Sequence, residues 1–278
     1  MLVDRLTVFW SAMAVTMPLF FVGIGIKVSF WCQGSLRDGR GQPVERAKAW
    51  GALVEACRVI FSRRFLAVAR VFILNGLLHR RLWHEDRYRW VCHFLMLFGF
   101  LSLFALSVIT GFVEEILHKM FRMDTPLVQF ITNKDTPLIA VLNEGLGVMI
   151  LAGLVLTMLR RFVRRPAQLR TTPFDTSTLV LLAIIMLTSY PIESFRLLME
   201  NTPAVLARYS FLGYPLALWL KPLALNWPAW HYGMFMAHIA ACIALALSMP
   251  FSKFFHVVIS PIIATINSLP DHVPETRP

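Results

Sequence analysis

Three of the eight histidines in this 278-residue chain have the placement to do chemistry: His93, His238 and His256. His238 and His256 stand eighteen positions apart. On one α-helix that is five whole turns, so both side chains leave the same face, roughly 27 Å from each other along the axis. One metal centre cannot use both, but two centres stacked across a bilayer can. His93 opens a different apolar run, at the level where His256 closes its own. One imidazole from each of two neighbouring helices, facing inward, is how a helical bundle grips a haem iron. The plainer alternative is that His93 and His256, at helix ends, snorkel to water. His238 lies inside the apolar run Met234 to Met249, where it needs either a ligand or a hydrogen-bond partner.

The other histidines say less. His79 and His84 lie among Arg80, Arg81, Arg87 and Arg89 and read as a solvated face. His118 reads as a loop residue, and His272 sits in the tail. His231 is two turns before His238 on the same face, at an interface. Cys32, Cys57, Cys92 and Cys242 are scattered, with no CxxC or CxxCH run. Iron–sulfur clusters, c-type haem and structural zinc therefore have no local signature in the chain.

The elements that would position these groups are membrane helices. Of the residues, 57% are hydrophobic and 15% charged, against about 25% charged in a soluble domain. Crossing a bilayer takes about 20 apolar residues, and five segments qualify: Leu6 to Phe30, Trp90 to Phe112, Pro137 to Leu159, Ser177 to Met199 and Ala229 to Phe251. Phe65 to Leu78 is shorter and interrupted by Arg70, so it fits an amphipathic helix lying in the interface. Phe211 to Leu225, broken by Gly213, Pro215 and Pro222, fits a re-entrant or interfacial piece at the outer surface. The expectation is an all-α, five-helix membrane bundle forming one domain over residues 1–278. Within it, 31–89 is a basic loop carrying the interfacial helix, and 268–278 is a loose tail.

The formal net charge of +11 is located between apolar runs. Lys27 to Arg89 carries thirteen Lys or Arg against five acids, and Arg160, Arg161, Arg164 and Arg165 follow the third helix. Val113 to Thr136 and Glu200 to Trp230 are close to balance. The positive-inside rule then places the N-terminus outside and the C-terminus in the cytoplasm, and the expected location is the cytoplasmic (inner) membrane. This is a topology signal rather than a nucleic-acid-binding stripe. The first apolar run follows only Asp4 and Arg5 and reads as a retained helix, not a cleaved signal.

The C-terminal pattern of His238, then Pro250-Phe251-Ser252-Lys253, then His256 resembles the nitrate reductase gamma subunit family of dihaem cytochromes b. The similarity runs from about residue 85 to 262 and includes the basic stretch Arg160 to Thr172. Two further stretches, Arg89 to Phe100 and Pro191 to Arg196, resemble one branch of that family. Its members are the membrane subunits that accompany heterodisulfide-reductase-like iron–sulfur proteins. The resemblance implies that His93 and His256 ligate a cytoplasmic-side haem and that His238 is one ligand of an outer-side haem. The other outer ligand would stand ten residues after His93, where this chain has Leu103. Two haems b are expected on this reading.

The resemblance further implies quinone, expected to be menaquinone, as the membrane substrate. Polar groups expected near the outer side are Asn143, Glu144, Glu193, Arg196, His231 and Tyr232. A glutamate buried in a span, as Glu144 would be, can exchange protons near neutral pH. Glu193 and Arg196, three apart on a helix, could instead form an ion pair that only secures the helix end. Electrons would pass to or from a separate cytoplasmic iron–sulfur subunit of heterodisulfide-reductase type, since the chain has no cluster motif. Two other classes stay open. A transporter would show paired charges at mid-membrane and an inverted repeat, neither of which is visible; a haem-free anchor leaves the histidine spacing unexplained. Within the cytochrome class, the rival is a true gamma subunit of a respiratory nitrate reductase.

Overall fold

The computed structural model describes residues 5–33, 36–37, 43–44, 65–165, 173–252 and 255–256. Much of the basic connection (45–64), residues 166–172 of the second basic stretch, Lys253, His272 and the tail 268–278 lie outside them.

Among the described residues, five helical segments are long and apolar enough to cross a membrane, and they overlie the five expected spans. The first is α1 (Arg5–Gln33). The second, α4 (Arg87–Phe112), continues through wider turns over Val113–Met120. The third is α6 (Pro137–Met158), the fourth α7 (Pro173–Glu200) and the fifth α10 (Trp227–Ser248), which tightens at Met249–Phe251. Runs of this length form helices in lipid because a helix satisfies every backbone N–H and C=O within itself. Their flanks are strongly apolar and exposed, as at Phe21, Phe104, Leu187 and Trp230, which is the surface a lipid-facing chain presents.

The shorter elements fill the connections. α2 (Phe65–Val71) widens over Phe72–Leu77 and is followed by α3 (Arg80–Glu85). This is the short helix expected before the second span. α5 (Pro126–Thr132), α8 (Ala204–Ala207) and α9 (Gly213–Leu220) lie between the later spans. The one regular element other than helix among the described residues is a two-residue antiparallel pair, β1 (Leu36–Arg37) with β2 (Pro43–Val44), in which Leu36 faces Val44. His118 belongs to the helical turns of Val113–Met120, not to a loop, and its Nδ1 lies 3.3 Å from the Met123 carbonyl. Lys119 supports those turns by pairing with Glu115 at 2.7 Å and Glu114 at 3.3 Å.

The chain divides into two compact units, Met1–Phe9 with Val91–Leu245 and Trp10–Trp90 with Ala246–Pro278. In the first, Ile150 and Leu154 sit at the centre of a cluster with Leu179, Leu182, Met186 and Leu245. Met96, Phe100 and Leu103 pack against it from α4. Glycines let these helices close up: a Cβ on Gly153 would stand 2.7 Å from Cγ of Met96, and one on Gly99 would stand 2.9 Å from Cγ1 of Ile150. Small residues at such crossings are how membrane helices gain close van der Waals contact. In the second unit, a Cβ on Gly23 would meet the ring of Pro250 at 3.0 Å. The Trp90 indole donates to the Leu78 carbonyl at 2.7 Å and packs edge-on against Trp83. That bond holds the start of the second span to the preceding short helix.

Candidate functional site

His238 is half-buried on α10, and its Nδ1 lies 2.9 Å from the Thr188 hydroxyl on α7. The fourth and fifth spans are thus joined at the imidazole that the sequence could not leave without a partner. His231, two turns earlier, is buried and stacks on Phe235 with ring centroids 6.0 Å apart. Tyr232 is half-buried beside it. Phe195 of α7 packs against Trp227 and Trp230 at the start of the same helix.

His93 is half-buried near the start of α4 and belongs to the first compact unit; His256 is exposed and belongs to the second. Leu103, where the resemblance would place a ligand, faces the apolar cluster around Ile150 and Leu154.

Three of the expected quinone-site residues come together elsewhere. Glu144 is buried on α6 and accepts the backbone N–H groups of Leu212 and Gly213, which open α9. Arg196, also buried, grips Glu193 through both Nε and Nη2, at 2.9 and 2.8 Å. Its guanidinium also pairs with Glu200 and with Asp135, each at 2.7 Å. Glu193 in turn accepts from the Ser210 hydroxyl at 2.9 Å. Ser194, fully buried, donates to the Gly213 carbonyl at 2.8 Å. The result ties the α5–α6 turn, α6, α7 and the α8–α9 segment into one polar knot. The predicted Glu193–Arg196 pair is present within it. Asn143 is exposed and outside this knot.

Asp135, Thr188, Ser194, Ser210 and Gly213 are participants that the sequence reading did not single out. A threonine and two serines in apolar surroundings carried a faint signal, but a hydroxyl in a membrane helix often bonds only its own backbone.

Residues 125–267 match the nitrate reductase gamma subunit family. The chain belongs to that family. The match runs from α5 to beyond the last span and includes His231, His238 and His256. No curated protein and no solved structure matches the chain. Membership makes the chain a multi-pass membrane protein of the cytochrome b electron-transfer type, in a family that binds haem b and quinone.

Among the described residues no group of three or more His, Cys, Asp or Glu could hold a bare metal ion. Haem iron asks less of the protein, because the porphyrin supplies four nitrogens and the chain one or two axial ligands. His238 meets that need. The Thr188 hydroxyl lies 2.7 Å from the Ile184 carbonyl and 3.1 Å from that of Ile185. A carbonyl can only accept; with the single hydroxyl proton on the α7 backbone, the Thr188 oxygen accepts from Nδ1–H of His238. The lone pair of the imidazole is then on Nε2, the form a haem ligand takes.

Proposed function

We propose that the chain is the membrane cytochrome b subunit of a respiratory complex in the cytoplasmic membrane. It exchanges electrons between membrane quinone, menaquinone in this reading, and a cytoplasmic iron–sulfur subunit of heterodisulfide-reductase type. Haem b, when bound, supplies a one-electron carrier that an apolar helix bundle lacks. His93 and His256 are assigned to the cytoplasmic-side haem and His238 to the outer-side haem. The N-terminus is outside, so the basic connection faces the cytoplasm and offers cations to an acidic docking partner. The observation that carries the reading is His238: a histidine within an apolar span of a cytochrome b family member, with its Nδ1 2.9 Å from the Thr188 hydroxyl so that Nε2 is left for iron.

For quinone, the assignment rests on His231 and Tyr232, with Asn143 exposed on α6. Glu144, Glu193 and Arg196 direct their polar atoms at protein partners, and in this reading they shape the segment that covers the site. The second reading is a gamma subunit of a respiratory nitrate reductase, favoured by the family matched over residues 125–267.

The test is haem quantitation on the purified chain, with reduced-minus-oxidised spectra of the His93→Ala, His238→Ala and His256→Ala variants. The reading expects His93→Ala and His256→Ala to remove the same haem and His238→Ala to remove the other. A wild-type chain without a haem b band defeats it. The subunit that co-purifies separates the two readings: an iron–sulfur protein supports the first, a molybdenum-containing reductase the second.

A further inference from the structure

We propose that Thr188 is the positioning residue of the His238 haem, holding the imidazole so that Nε2 is presented to iron. The inference rests on the assignment of His238 as a haem ligand. Its own support is geometric. The Thr188 oxygen lies 2.9 Å from Nδ1 of His238, fifty positions away in sequence, and 2.7 Å from the Ile184 carbonyl of its own helix. With the hydroxyl proton on that carbonyl, the hydroxyl serves His238 as an acceptor. Thr188 stands on α7, so the ring's N–H is held toward the fourth span and its lone pair is directed away from that bond. No water is needed to fix the tautomer, which suits a site within a membrane span.

A metal-bound histidine whose other nitrogen donates a hydrogen bond is oriented and made more basic by that bond, and losing such a partner lowers metal affinity or activity on the order of 10–100-fold. A more basic ligand favours the ferric state. Removing the acceptor therefore raises the midpoint potential of this haem and leaves the potential of the other unchanged.

The experiment is a spectroelectrochemical titration of the haem-loaded chain carrying Thr188→Val or Thr188→Ser, beside wild type and His238→Ala. Valine keeps the shape and removes the acceptor; serine keeps the acceptor. The proposal expects an upward shift, or selective loss, of the His238-dependent haem in Thr188→Val, and near-wild-type behaviour in Thr188→Ser. Thr188→Ala carries the same expectation should the valine variant not accumulate in the membrane. Wild-type potentials in Thr188→Val overturn it, as does equal damage by Val and Ser, which would mean that Thr188 only packs. If His238→Ala retains every haem, the ligand assignment itself has failed, an outcome distinct from a potential that does not move.

Discussion

The N–H of Gly213 donates to the carboxylate of Glu144 at 2.9 Å, across 69 positions of sequence. The Leu212 N–H binds the other carboxylate oxygen at 2.5 Å. These are the opening amides of α9, where a negative charge is favoured by the helix dipole. Replacing Glu144 by alanine strands two amides in a buried place, and each such loss costs about 1–3 kcal/mol. Glu144→Ala is expected to lower the unfolding temperature in detergent and to open residues 200–226 to protease. Glu144→Gln keeps one acceptor oxygen and should fall between. A Glu144→Ala chain as heat-stable and protease-resistant as wild type would remove the anchoring role and return Glu144 to the quinone candidates.

Arg196 is one cation among Glu193, Asp135 and Glu200. Deleting it leaves Glu193, itself mostly buried, without its fork of two hydrogen bonds. Breaking a buried pair in this way destabilises by about 3–5 kcal/mol. Arg196→Met should therefore accumulate poorly in the membrane. Arg196→Lys should recover little, because one ammonium cannot reproduce the planar fork. Folded yield by size-exclusion chromatography checks both. If lysine restores wild-type yield, bidentate geometry is not what holds this end of the protein together.

How much of this could be read from residues alone depended on whether the signal was local. The five spans were legible because an apolar run of membrane length has few other fates. The Glu193–Arg196 pair was legible because positions three apart meet on any helix. His238's need for a partner was legible too, but not that Thr188 would be the partner, since that depends on how two helices are rotated against each other. Asn143 and Glu144 show the same limit. They are neighbours in sequence, yet a helix turns about 100° per residue, and here Glu144 is buried while Asn143 is exposed. Glu144's actual partners are backbone amides, which no side-chain pattern announces. The helical turns around His118 were missed because Glu114, Glu115 and Lys119 read as loop polarity, while their spacing serves a helix.

Gly153 marks a close approach of α4 and α6. A Cβ there would stand 2.7 Å from Cγ of Met96 and 2.9 Å from its backbone nitrogen. The side chain can move; the backbone cannot without shifting the helix. Overpacking of this kind typically costs about 1–3 kcal/mol. Gly153→Ala is expected to lower the unfolding temperature, and Gly153→Leu to prevent accumulation. Gly145, which has open space where its Cβ would lie, is the control, and Gly145→Ala should leave the unfolding temperature at or above wild type. Equal behaviour of the two alanine variants would show that the crossing is looser than these distances.

Leu103 offers the sharpest contrast with the family pattern. Its side chain packs on Ile150, Leu154 and their neighbours, so the wild-type chain has a hydrocarbon where a second outer imidazole would stand. Introducing that imidazole has two opposed effects. A histidine in an apolar cluster is unfavourable unless its nitrogens find partners, and an iron within reach is such a partner. Leu103→His in haem-loaded protein is therefore expected to give the His238 haem a low-spin, bis-imidazole electron paramagnetic resonance signal in the ferric state. Combined with His238→Ala, the same substitution should lower folded yield, because the new imidazole would then be buried without the site that accommodates it. A Leu103→His chain whose spectrum matches wild type would show that position 103 does not face the iron, and the carry-over of the family's ligand spacing to this helix would have to be abandoned.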